Sequence, residues 1–455
     1  MKQLAILALV MVAVASLASA QPISGGLARE LAMGGTQAGT GLVLNPFIME
    51  DPSLLLVNPA YQVMYKDYAW MNIAGGGLTG ASVGADGYGN QNAGAAFSVC
   101  ENMNLGVILS YDPSLANNLV SMFTNYVNDR RGFTGSYPPQ QIQNVWEVVG
   151  SWHMATMDLG LGVSYGSSNN EYQFTSTTPA SSGDLQSTAS VWGFRAGALI
   201  NLGGSNTLDA SALLHLDKVA NKATTTPIAT NNYGDYSASG TEFQFNARAK
   251  FVVSPKFNFV PYGIIFTSSA SPSENTVASG LTGKADNITW SATAYALGVG
   301  GEYRVNSFFL AGGLSFQSAQ QKTEDTPDGG TQSTYTQTYT AIPVVNLGME
   351  WTILDWLTGR AGYERMIGSI DQKSETTTTT EEESYSFPQS WTGLGWINPG
   401  SWDGVVTLGV GMKFGNFAVD ATVSDEALRR GLGLIGNQDN LNTFGYMTAS
   451  YHFGQ

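Results

Sequence analysis

Apolar and polar positions alternate along most of this chain in runs of about ten residues. Over 241–253, Phe243, Phe245, Ala247, Ala249, Phe251 and Val253 fall on one side, with Glu242, Gln244, Asn246, Arg248 and Lys250 on the other. Over 404–414, Val406, Leu408, Val410, Met412 and Phe414 alternate with Thr407, Gly409, Gly411 and Lys413. Leu159, Leu161, Val163 and Tyr165 repeat the pattern. Successive side chains of a strand point to opposite faces, so each run predicts a strand with one apolar face and one polar or glycine face. About sixteen such runs are expected between residue 68 and the final run, 443–453.

A water-soluble sandwich would alternate in the same way. Run length separates the two: about ten residues is what a tilted strand needs to cross a bilayer, whereas soluble strands average 5–6. Aromatic residues near run ends, among them Tyr68, Trp70, Tyr111, Trp146, Trp152, Tyr165, Trp290, Trp351 and Phe414, are expected at the two membrane rims. Connections also alternate. Tight turns are expected near 100–103, 153–156, 201–205, 253–256, 301–306, 351–357 and 415. Long polar loops are expected near 112–143, 166–190, 217–240, 267–288, 317–339, 366–403 and 424–442. Together these predict an all-β transmembrane antiparallel β-barrel of about 14–16 strands, occupying 67–455.

Composition narrows the function. Only 12% of residues are charged, about half the usual share, and there are 54 glycines in 455 residues. The formal net charge of −15 leaves no basic surface for nucleic acid. One cysteine, Cys100, and three histidines exclude a disulfide framework and offer little for a metal site, so no cofactor is expected. The serines and His215 lack a nucleophile motif, and an enzyme is not expected. Residues 1–20 read as a cleavable signal peptide: Lys2, an apolar run from Leu4 to Leu17, then Ala18-Ser19-Ala20.

Residues 21–66 do not alternate. They carry Asn45-Pro46, Asp51-Pro52 and Asn58-Pro59, steps that favour turns and interrupt a sheet ladder. The order Ala28-Arg29-x-x-Ala32-Met33-Gly34-Gly35, an Asp-Pro step, then Asn58-Pro59-Ala60 before the first strand resembles the FadL-type outer-membrane long-chain fatty-acid and hydrocarbon transporter family. The resemblance covers this stretch and the general layout. It implies a hatch inside a fourteen-stranded barrel, with Met33, Gly34, Gly35, Asn58, Pro59 and Ala60 among its residues, and uptake of hydrophobic small molecules through the outer membrane. A PorV-like branch, in which the barrel is a structural or docking component of a protein secretion system, shares the same opening.

After the third strand, Asp112-Pro113 signals a helix start, and Leu115, Leu119, Met122, Phe123 and Tyr126 recur at helical spacing. That face either packs on neighbouring loops or captures a hydrophobic ligand. Residues 425–434 form a weaker helical candidate. Arg195, Arg248, Lys250, Glu302, Arg304, Glu350, Arg360 and Glu364 lie on polar rows and are expected to face the lumen, because a charge facing lipid is costly. Their mixed signs suggest pairing across the lumen or with Arg29, Glu30 and Asp51. The glycine rows would let the 21–66 backbone approach the wall. The last strand ends at Phe453, resembling the signal read by the barrel assembly machinery, although Gly454 and Gln455 follow it. Outer-membrane lipid and a hydrophobic small molecule complete the expected partners.

Overall fold

The computed structural model describes residues 25–37, 43–74, 92–110, 145–177, 180–226, 235–276, 287–326, 332–376, 380–386, 405–423 and 444–453. The signal-like run and the helical candidates at 113–129 and 425–434 lie outside these residues. The strands are β1 (Tyr68–Ala74), β2 (Asn92–Cys100), β3 (Met103–Ser110), β4 (Val145–His153), β5 (Met157–Thr177), β6 (Ala180–Gly203) and β7 (Asn206–Thr226). They continue as β8 (Asp235–Ser254), β9 (Phe257–Thr276), β10 (Asn287–Val305), β11 (Phe308–Thr326), β12 (Ser333–Leu354) and β13 (Leu357–Thr376). The remainder are β14 (Thr380–Ser386), β15 (Val405–Phe414), β16 (Phe417–Val423) and β17 (Phe444–His452).

Apart from β14 and β15, each strand pairs antiparallel with its sequence neighbours, and β17 returns to β1 with Tyr446 opposite Ala74 and His452 opposite Tyr68. The ring is closed and leaves no free edge. β14 and β15 both pair with β13, the first against 369–375 and the second against 357–364. They share one position, so the described residues form a sixteen-strand barrel.

The alternation sorts as expected in the half of the barrel nearer the tight turns. Leu161, Val163, Phe194, Phe243, Phe245, Leu297, Val299, Leu310, Leu347 and Met349 are exposed on the outside. An apolar belt of this extent would drive association in water; it is the lipid-facing surface of a membrane-spanning barrel. Trp146, Tyr165 and Trp192 form one aromatic cluster on it, with Tyr165 and Trp192 ring centroids 4.7 Å apart. Near the tight turns, Phe308 stacks on Trp351 at 5.6 Å.

Two expectations need correction. The described residues of 166–190, 217–240, 267–288, 317–339 and 366–376 are mainly strand: β5 to β13 extend into these stretches and reach lengths of 19–24 residues. These stretches are rich in Ser, Thr and Tyr on both faces, so hydropathy stops alternating while strand propensity and the backbone ladder persist. Secondly, Tyr68, Trp70 and Trp290 do not belong to the rim. All three point inward and are buried, Tyr68 stacked on Trp70 at 5.8 Å.

The tight turns take the backbone that two-residue hairpins require. Asn306 has φ 52° and Gly415 has φ 62°, the left-handed region that matches strand twist.

Candidate functional site: the lumen and the amino-terminal segment

Residues 25–66 contain one short helix, α1 (Leu27–Ala32), and two 3₁₀ turns, Pro52–Leu56 and Pro59–Val63. Proline opens both turns, where its missing N–H costs nothing. Asp51 and Asn58 cap them, accepting from Ser53 N–H at 2.8 Å and Ala60 N–H at 2.9 Å. The segment touches inward-facing side chains of strands around the whole ring, so it lies across the lumen.

Glycine in the wall makes that approach possible. A Cβ at Gly160 would strike the Pro59 and Ala60 backbone, and one at Gly197 would strike Asn58. Gly348 and Gly362 lie against Met33, Gly409 against Ala32, and Gly300 and Gly313 against the Phe47 ring. The Phe47 ring also meets Tyr262 edge-on at 5.5 Å. Gly34 has φ 71°, a conformation disfavoured for other residues, and its carbonyl accepts from Asn346 Nδ2 at 2.8 Å.

Charged side chains of the wall hold the segment in a second way. Arg29 on α1 donates to Asp51 at 2.9 Å and to Glu350 on β12 at 2.8 Å. Arg360 on β13 donates to the same Glu350 oxygen at 2.7 Å and to Asp420 on β16 at 2.5 Å; Asp420 in turn accepts the Gly25 N–H at 2.9 Å. On the opposite wall, Arg248 pairs with Asp209 at 2.6 Å and donates to the Ile48 carbonyl at 3.0 Å. Asp209 also accepts from Asn58 Nδ2 at 2.6 Å. Arg195 pairs with Glu147 at 2.6 Å and donates to the Leu55 and Leu56 carbonyls. Glu302 accepts the Met49 N–H at 2.8 Å. These buried guanidinium pairs satisfy the carbonyls that the irregular segment cannot pair within itself.

Near the tight-turn end, Lys250 reaches Glu50 at 3.0 Å, and Arg304 lies 3.8 Å from Glu50 and over the Phe309 ring. Burial acts to raise the Glu50 carboxyl, but Lys250 and Arg304 outweigh it and hold the group below its usual range. Glu30 is the opposite case. Burial, then the neighbouring Asp51, pushes its carboxyl well above the carboxylate range. One oxygen accepts the Asn45 N–H at 2.7 Å; the other has no partner among the described residues.

Further from the tight turns, inward side chains of β9 to β13 form an apolar wall that includes Phe266, Trp290, Tyr339, Val344, Met366 and Ile370. Glu364 is buried on the same strand as the last two. Beside this wall, β7 and β8 present His215, Asp217 and Glu242. Sequence reasoning missed this group because Asp217 fell in a stretch read as loop. The available signal was its place, with His215, on the polar row opposite Leu214 and Leu216. Leu115, Leu119, Met122, Phe123 and Tyr126 lie outside the described residues. Cys100 is exposed at the end of β2, and no cluster of metal-ligating side chains occurs among the described residues.

No family model matches the sequence, and no curated protein does either. Among solved structures, the Pseudomonas putida toluene transporter TodX is 10% identical, covering 96% of this chain and 100% of its own, with a TM-score of 0.38. The Ralstonia pickettii toluene transporter TbuX is 12% identical over 94% and 97% of the two chains, with a TM-score of 0.36. The FrpB iron transporter from Neisseria meningitidis is 9% identical over 85% and 82%, with a TM-score of 0.32. Likeness at this level carries neither substrate nor mechanism to this chain.

Proposed function

We propose that the protein is an outer-membrane channel for hydrophobic small molecules, with residues 25–66 acting as its hatch. The observation that supports this best is the lumen itself: the segment lies across it, and beyond the segment the wall of β9 to β13 is apolar. A general diffusion pore would need water-filled space where this segment lies. A tube with an apolar wall instead suits a solute that leaves water readily. The opening motif around Met33-Gly34-Gly35 and Asn58-Pro59-Ala60 supports the same reading through its resemblance to FadL-type proteins.

The sequence of events is capture at the end away from the tight turns, descent along the apolar wall, and passage once the hatch shifts. No covalent bond is made and no cofactor takes part. The polar anchors suit a movable part. Ion pairs and carbonyl contacts can exchange for water, and the apolar clusters that join Tyr61 and Phe47 to the wall must part with them.

A reversible lock tests this. A Cβ at Gly348 would lie 2.8 Å from Met33 Cβ, so cysteines at the two sites come within bridging reach after a shift of about 1 Å. With Cys100 replaced by serine, Met33→Cys/Gly348→Cys cells should take up a labelled hydrocarbon only after reduction. Uptake equal in oxidised and reduced cells would exclude a moving hatch. Uptake no greater than in cells lacking the protein would exclude the channel.

A further inference from the structure

The wall beside the apolar surface carries a group that hydrocarbon transport does not need. His215 and Asp217 lie two residues apart on β7 and share its inner face, and Glu242 on β8 stands directly opposite His215 in the ladder. His215 Nδ1 is 3.4 Å from Glu242 Oε2. All three are buried, at 7%, 5% and 2% exposure. Both carboxylate oxygens of Asp217 lack a partner among the described residues. Beside Glu242, the Ser268 hydroxyl on β9 and Gln244 Oε1 are also buried and unpartnered.

Their charge is not balanced by the wall. The neighbouring arginines are committed elsewhere: Arg195 to Glu147 and two carbonyls of the hatch, Arg248 to Asp209 and the Ile48 carbonyl. Glu242 therefore has only the imidazole near it, and Asp217 has no partner among the described residues. Lys218 stands on the outer row beside Leu216 and Ser239 and is exposed. A buried acid without a donor is costly, which marks a position that a ligand donor would fill. The side chains do not converge as metal ligands. Next to Gln244 the same inner row passes to Phe266, Ala294, Ala319 and Tyr339, the apolar wall.

We propose that this surface binds the polar end of an amphiphilic amine, with Asp217 and Glu242 accepting from its ammonium and the tail lying on Phe266 and Tyr339. This rests on the channel reading above and gives the ligand a chemical class. A fatty-acid carboxylate would instead meet two acids at close range, which disfavours it.

The full-length barrel in phosphatidylcholine nanodiscs, loaded with a neutral fluorescent hydrocarbon, can be challenged with three chain-matched competitors: dodecylamine, dodecanol and dodecanoate. We expect dodecylamine to displace the probe at about tenfold lower concentration than dodecanoate, the size of one charge-assisted hydrogen bond. Asp217→Asn/Glu242→Gln should bring the two within a few-fold of each other. Should the double variant fail to fold, Asp217→Asn alone is read, because asparagine keeps the shape and removes the charge. Equal displacement by all three competitors, or a preference unchanged in the variant, overturns the amine assignment and leaves the channel intact. Failure of the hydrocarbon and of all three competitors to bind would overturn the channel reading as well.

Discussion

Arg360 and Arg304 show how differently one residue type can act in this lumen. Arg360 is buried between Glu350 and Asp420, and Asp420 also holds the Gly25 N–H. Arg360→Gln would leave the buried Asp420 without its cation while Glu350 keeps Arg29, so we expect a loss of about 3 kcal/mol in chemical denaturation of the folded barrel. Arg304 is half exposed and 3.8 Å from Glu50, so Arg304→Gln should cost less than about 1 kcal/mol. Equal losses would show that the wall charges act as a diffuse field and not as discrete anchors. Gly160 tests packing. A side chain there meets the Pro59 and Ala60 backbone, which cannot swing aside as a side-chain tip can. Gly160→Val should weaken hatch docking by about 1–3 kcal/mol and expose 25–66 to protease while the ring stays folded. Gly263→Ala, whose Cβ would meet the Leu297 side chain at 3.2 Å and the Ala296 carbonyl at an ordinary 3.9 Å, should leave the cleavage pattern unchanged.

At the level of elements, the parts of the barrel legible in the sequence are those where lipid imposes a rule. Leu159, Leu161 and Val163 alternate with Asp158, Gly160 and Gly162 because one side meets hydrocarbon and the other the lumen. Beyond that height the outer face meets polar surroundings. The Ser and Thr residues of 177–190 then alternate with nothing, although the ladder of β5 and β6 continues as far as Thr177 opposite Ala180. The irregular segment 25–66 was visible as punctuation at Asn58-Pro59, but its contacts with the wall were not. The Gly25–Asp420 bond spans 395 residues, and no local pattern encodes such a partner. The same argument predicts that the far ends of β5 and β6 are dispensable for the ring. Replacing 170–187 by a short Asn-Gly turn should leave a folded barrel that still shifts its gel mobility on heating. Loss of that shift would mean that the polar extension, not the lipid-facing band, carries the fold.

For the whole molecule, the proposed channel would close and open according to how firmly residues 25–66 sit, and Glu30 gives that a pH dependence. Its carboxyl is raised by burial and by Asp51, so the docked state favours the protonated form. A group shifted upward stabilises docking fully below its ordinary value of about 4.3, and that contribution is lost as pH rises through the raised value. Glu50, held below its range by Lys250 and Arg304, works in the other sense and matters only toward acid. Above the ordinary carboxylate range Glu30 should dominate. Ionic current through the barrel in a planar bilayer should therefore be smallest in acid and grow as pH rises through the raised value, as the charged carboxyl loosens α1 from β15 and β16. Glu30→Gln keeps the acceptor for the Asn45 N–H while removing the charge, and should hold the current low across the whole range. A current equally pH-dependent in that variant would move the titrating group elsewhere in the lumen. A large current at every pH would mean that residues 25–66 do not seal the ring.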